Sequence, residues 1–331
     1  MGSDSAAGLA LQSTLARWGR HQALPLTMAA SRWSTERQAK KAARRGRPAV
    51  IVDCRIAAVL SEHPDFPAAR SARGRKQHPD ESGAESAGES AGESAGDQSS
   101  GESGAPDYRS GVLTEADLER AHWLAKACEH SGMRYLCLSS DRVFSGSTGR
   151  GLRETDETDA TDPVGMHLAE TERRVLQAAP SSLILRTGPI FAASTPGLLS
   201  RTLEIMTAQA EAVFDDRAVF CPVPSHDLAR VVSAILDQMS AGAAESGLFH
   251  YCSGDRTTEY GFAEVSLAAA SQYIDCGDVA LRPATATTEA ATVQHVLDCS
   301  RLRDAFAIKQ TPWRGAINEL VKQYLDARAA A

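Results

Sequence analysis

Three short, largely apolar runs that read as buried strands, at residues 48–53, 134–139 and 183–187, constrain what this chain can fold into more than any other feature. A strand with one wet face alternates apolar and polar residues, so a continuous run marks a strand covered on both sides. Two covered sides call for helices above and below the sheet, and the intervening sequence supplies them. Residues 114–128 carry Leu118, Ala121, Leu124, Ala125 and Cys128 on one stripe, behind a Thr114/Asp117 capping pair. A second amphipathic helix is predicted from Asp227 onward, and residues 22–27 read as a further strand. The pattern predicts an α/β fold on a doubly wound, Rossmann-like parallel sheet.

With 331 residues and 43% hydrophobic content, the chain can bury one large core or two joined ones. A net charge of −7 argues against a nucleic-acid or anionic-membrane partner. No apolar run approaches the ~20 residues that cross a bilayer, and the first residues lack a hydrophobic signal core, so a cytoplasmic location is expected. The seven cysteines are scattered without a Cys-x-x-Cys pair, which suits reduced, mostly buried thiols and no metal site. Residues 68–106 contain repeated Glu-Ser-Ala-Gly units with no apolar face at any period, and are expected to form a disordered acidic insertion. Arg37, Lys40, Lys41, Arg44 and Arg45 read as the solvated face of a polar helix.

Near the start, Gly2, Ser5 and Gly8 make a Gly-x-x-Ser-x-x-Gly spacing that leads into a helical stretch ending at Gly19. It resembles the phosphate turn of a dinucleotide-binding unit, in which glycines let the backbone approach a pyrophosphate resting on a helix N-terminus. An ordinary Met-Gly-Ser start before a helix fits the spacing equally well. The apolar strand that precedes such a turn has no counterpart here, so the first strand is apparently missing.

From residue 133 onward the chain resembles a known family. Ser139-Ser140-Asp141-Arg142-Val143-Phe144 and Gly146 are similar to the Ser-Thr-Asp-Tyr-Val-Phe-x-Gly strand end of the dTDP-4-dehydrorhamnose reductase family, an extended branch of the short-chain dehydrogenases. The next motif of that family, Tyr-Gly-x-x-Lys on a helix, is met here by Gly165 flanked by Val164 and Leu168. Residues 183–187 match the family's Leu-Arg-Thr strand, but Pro189 follows where the family has an aromatic residue. Asp227-Leu228-Ala229, the 247–254 segment and Trp313 extend the match at ordered intervals, and residues 48–53 resemble a Pro-Asp-x-Val-Ile-Asn strand with Asp53 in the asparagine's place.

The resemblance implies a dinucleotide-binding part over residues 1–187 and a smaller, interleaved substrate lobe over 188–325. It implies NADPH or NADH as cofactor, with Gly2, Ser5, Gly8, Asp53 and Ser139 at the cofactor. The implied partner is a nucleotide sugar such as a dTDP-linked 4-keto sugar, with Asp141, Arg186 and Pro189 on the substrate side. A homodimer is compatible with it. Ser140 takes the place of the hydroxyl that polarises the substrate carbonyl. Reduction of a ketone leaves a developing alkoxide that needs a proton donor in hydrogen-bond reach, and valine and leucine supply none. If the register around Gly165 slips, His167 is the acid left to consider, beside Met166 and Asp162; Tyr135 and Tyr251 are the tyrosines that could come from elsewhere. His250 and Trp313 read as structural. Two readings therefore stand: a reductase with impaired or lost catalysis, and a non-catalytic nucleotide- or sugar-nucleotide-binding regulatory protein on the same fold.

Overall fold

The computed structural model describes residues 1–55, 114–146, 149–208, 210–277, 279–284 and 293–330, and the acidic insertion expected at 68–106 lies outside them. The chain opens with helix α1 (Ala6–Trp18), followed by α2 (Glu36–Ala43), strand β1 (Val50–Asp53), α3 (Glu115–Glu129), β2 (Arg134–Ser140), α4 (Pro163–Ala178) and β3 (Leu183–Thr187). The remaining elements are β4 (Ile190–Phe191), α5 (Leu198–Ala208), β5 (Glu211–Phe214), β6 (Val219–Phe220), β7 (Val223–Pro224), α6 (Ser225–Ser240), β8 (Gly247–Tyr251), α7 (Glu259–Ala270), β9 (Ala280–Pro283), β10 (Gln294–His295), α8 (Ser300–Phe306) and α9 (Arg314–Ala329).

The three apolar runs form neighbouring parallel strands, and β8 extends the sheet to the order β1-β2-β3-β8. Every residue of β3 is buried, as a strand covered on both sides must be. The helices fall into two packed groups, α2 with α3 and α3 with α4, and α1 with α6, the arrangement of a doubly wound sheet. Helix α3 starts as its sequence predicts, with the Thr114 amide and hydroxyl both donating to the Asp117 carboxylate. No described helix is long and apolar enough to cross a membrane.

Residues 22–27 form no strand, which corrects the sequence reading. A strand needs a neighbour for its amides and carbonyls, and none of the described strands pairs with this segment. What the segment offers instead is single contacts: the Leu26 carbonyl accepts from the Ser3 amide at 3.0 Å. The edge of β1 is met by Met1, whose amine donates to the Val52 carbonyl at 2.8 Å and whose carbonyl accepts from the Cys54 amide at 3.0 Å.

A second hydrophobic cluster gathers around α5, α7 and α9. Phe191 and Phe262 meet edge to face at 5.3 Å, and Phe262 packs on the fully buried Trp313 at 5.1 Å. Strands β5 and β9 pair on this lobe, while β6 and β10 pair beside the main sheet.

Candidate active site

The Gly2–Gly8 turn sits where the first strands end. Gly2 adopts a left-handed conformation (φ 65°), and a side chain there would lie 2.9 Å from the Arg55 amide nitrogen. A Cβ on Gly8 would lie 2.2 Å from the Gly2 carbonyl oxygen, so only glycine lets α1 start this close to its own turn. Ser5 caps α1: its hydroxyl accepts from the Gly8 amide at 3.0 Å and donates to the Gly2 carbonyl at 2.8 Å. The Ala6 and Ala7 amides that open the helix have no partner within it, which makes this end a place for an anion. Asp53 pairs with Cys137 in register, and the residues that follow it, Cys54 and Arg55, lie against Gly2. The turn and the carboxyl end of β2 therefore share one edge of the sheet, where ligands of open α/β sheets bind.

Ser140 ends β2, and its hydroxyl donates to Asp141 Oδ1 at 2.8 Å while accepting from the Arg142 amide at 3.3 Å. Both residues are nearly sealed, at 4% and 3% exposure. Burial pushes the Asp141 carboxyl above the ordinary aspartate range, against the opposing pull of His295. His295 arrives on β10 and presses on Gly146, where a Cβ would lie 2.6 Å from its Nε2. The Arg142 side chain bonds Asp162 at 2.7 Å, and Asp162 caps α4 by accepting the Val164 and Gly165 amides at 3.0 Å.

Val164 and Leu168 face inward from α4, 5% and 0% exposed, so the positions of the expected hydroxyl and ammonium belong to the core. Gly165 is retained for space: a Cβ there would lie 2.2 Å from the Arg142 carbonyl oxygen. His167 spends its Nδ1 hydrogen on the Pro163 carbonyl of its own helix at 2.8 Å. Tyr135 is buried and donates to Asp53 at 2.6 Å; Tyr251 is buried and donates to Asp227. Neither tyrosine has a hydroxyl hydrogen to spare for a ligand at Ser140.

Several residues expected at ligands make buried contacts within the chain. Asp53 is 1% exposed and holds Arg55 through two bonds of 2.9 and 2.6 Å. Burial opposes its ionisation, yet the Arg55 guanidinium outweighs that and holds its carboxyl well below the usual carboxylate range. Ser139 donates to Glu172 at 2.5 Å, and Arg186, 2% exposed, clasps the same carboxylate at 2.6 to 3.1 Å while lying over Phe144 at 4.9 Å. This sealed ion pair, with His250 Nε2 3.4 Å from Nη1, engages Arg186 within the core. His250 extends the network, donating from Nδ1 to the Leu152 carbonyl at 3.0 Å; burial and then Arg186 lower it to about 3, so it is neutral. Pro189 is half-buried at the carboxyl end of β3, and its carbonyl accepts from the Val223 amide at 2.7 Å.

Glu172 and Arg55 escaped the sequence reading. A signal for Glu172 was present: with Val164, Leu168 and Val175 it shares the inward stripe of α4, where a charge needs a buried partner. His295 carries no such signal, because only the β6–β10 pairing brings it to Gly146. A separate cleft of about 690 Å³ between α1, α6 and α9 is lined by Arg17, His226, Arg230 and Glu319 and does not reach Ser140.

Residues 113–326 match the family described as RmlD substrate binding domain. The dTDP-4-dehydrorhamnose reductase of Streptomyces griseus is 28% identical over 201 residues, which are 59% of this chain and 65% of the relative. The enzyme of the same name from Aggregatibacter actinomycetemcomitans is 26% identical over 210 residues, 60% of this chain and 69% of the relative. The chain thus spans about two thirds of the length of these curated relatives. A crystal structure of a dTDP-4-dehydrorhamnose reductase from Clostridium acetobutylicum superposes with a TM-score of 0.68 at 16% identity, over 97% of this chain and 96% of that one. One from Bacillus anthracis, in complex with NADP, gives 0.66 at 13% identity over 97% of both chains. At such identities the superpositions speak for the fold. The match over residues 113–326 speaks for more: the chain belongs to the RmlD substrate binding domain family.

Proposed function

We propose that this protein binds a nicotinamide dinucleotide and a nucleotide-linked 4-keto sugar, a dTDP sugar foremost, and reduces the ketone slowly. The observation that carries the reading is Ser140 with Asp141 at the carboxyl end of β2, on the edge it shares with the Gly2–Gly8 turn. The turn fits the phosphates of a dinucleotide: its glycines leave no room for side chains, and the Ala6 and Ala7 amides would hold phosphate oxygens. The fit is poorer at the nicotinamide ribose, because Leu168 offers no ammonium.

When bound, the dinucleotide supplies the hydride. The Ser140 hydroxyl, released from Asp141, donates a hydrogen bond to the substrate carbonyl and polarises it. Charge developing on that oxygen is then met by a preorganised donor in a site nearly closed to water. General acid catalysis contributes about 10²–10⁴-fold, so losing the tyrosine slows turnover by that order. On this reading the protein works in the cytoplasm, with a second copy of the chain as an optional partner.

The test is NADPH oxidation with a dTDP-4-keto sugar, beside a dinucleotide-binding titration. Binding with turnover well below about 1 s⁻¹ supports the reading, and turnover within the usual enzyme range of about 1–10³ s⁻¹ refutes the impairment. The buried Val164 and Leu168 favour a second reading, a non-catalytic nucleotide- or sugar-nucleotide-binding regulatory protein, for which binding would persist with no turnover at all.

A further inference from the structure

We infer that Asp141 is the proton reservoir of this site, passing its carboxyl proton through the Ser140 hydroxyl to the oxygen that ketone reduction leaves negatively charged. The inference rests on the reductase reading. It starts from what α4 cannot do: Val164 and Leu168 present only hydrocarbon, so Ser140 is the hydroxyl left to meet the alkoxide. A serine that gives up its proton must regain one at once, because a bare serine alkoxide is far too basic to persist. The group bonded to its oxygen is the Asp141 carboxyl, 2.8 Å away.

Three observations suit Asp141 to hold a proton. It is 3% exposed. The adjacent cation, Arg142, pairs with Asp162 at 2.7 Å and pulls on Asp141 less than burial pushes. Burial pushes its carboxyl above the ordinary aspartate range. The titratable and charged groups that face it are Arg142 on its own turn, His295 from β10 and Cys221 from the loop between β6 and β7. Cys221 is kept neutral by its hydrogen bond with Cys252 and by burial. His295 is half-buried and feels both Asp141 and Asp159, which makes it a route for a proton from water.

The transfers balance without any electron changing hands. At rest the Ser140 hydroxyl donates to Asp141 Oδ1. With a carbonyl present it turns to that oxygen, and the protonated Asp141 donates to Ser140 Oγ. One O–H bond breaks on Ser140 as one forms on the alkoxide, and one breaks on Asp141 as Ser140 is restored. The carboxylate left behind is reprotonated from water through His295.

Asp141→Asn keeps the size and the carbonyl oxygen that Ser140 bonds, and removes the transferable proton. Its kcat for the dTDP-4-keto sugar is expected to fall about 10²-fold or more, with KM and NADPH affinity unchanged. In the unsubstituted protein kcat should fall as pH rises and the carboxyl ionises, and this limb should vanish from the residual activity of Asp141→Asn. His295→Gln should lower kcat less, with small imidazole buffers restoring it. The pH profile of the unsubstituted protein stands as evidence even where Asp141→Asn does not fold. A kcat for Asp141→Asn within about threefold, or a flat profile, overturns the inference. So does an unsubstituted protein that binds both ligands without turnover. If neither ligand binds, the reductase reading falls as well.

Discussion

Glu259 opens α7 and is 7% exposed, a carboxyl held in the smaller lobe close to Asp215 and Arg201. Burial raises it to about 7, with Asp215 adding to the shift and Arg201 opposing it. In the unfolded chain it titrates near 4.5. Between those values the folded protein binds more protons than the unfolded one, so stability falls as pH rises through that window. The gap of about 2.5 units corresponds to about 3 kcal/mol lost by pH 8 and absent below pH 4. Glu259→Gln keeps the shape and cannot ionise. Its stability relative to the unsubstituted protein should therefore rise by about 3 kcal/mol from pH 4.5 to pH 8, which is about 5 °C in melting temperature for a chain of this size. Parallel thermal and urea melts across that range read the difference. A difference that does not change with pH, or that grows toward acid, would refute the account of a carboxyl kept neutral by its surroundings.

Two other substitutions probe the core beneath the site. Glu172→Ala leaves the Arg186 guanidinium buried and unpaired and should cost about 3–5 kcal/mol in urea denaturation, while replacing both residues by apolar ones of similar volume recovers much of the loss. Leu168→Lys restores the family's residue at a position with no solvent exposure; it should cost about 4 kcal/mol at neutral pH, seen as a lower urea midpoint, with less penalty at alkaline pH where the amine is neutral.

The sheet was legible because continuous apolar runs admit few other fates, and residues 183–187 form β3 with the bounds the run suggests. Residues 22–27 show the limit of such reading. Their apolar character is local, whereas a strand depends on a neighbour, and no pattern within six residues reports one. The site divides in the same way. Ser140 and the Gly2–Gly8 turn are singled out by the resemblance, and the structure places the first at the end of β2 and the second at the start of α1. Asp53 and Arg186 are placed at ligands by the resemblance alone, and their side-chain partners Arg55 and Glu172 emerge only once the chain is folded.

The residues kept from the family pattern and those lost from it answer to different forces. Gly165 persists where a Cβ would collide with the Arg142 carbonyl oxygen, and Arg186 persists in a clasp with Glu172 that cannot lose one member cheaply. Val164 and Leu168, which the resemblance places at the Tyr and Lys positions, are buried in the core. Fold and function are separately encoded, so a well-packed α4 does not by itself report what chemistry the helix supports. On the proposed reading the reactive groups lie at the end of β2, where Ser140 and Asp141 share a hydrogen bond.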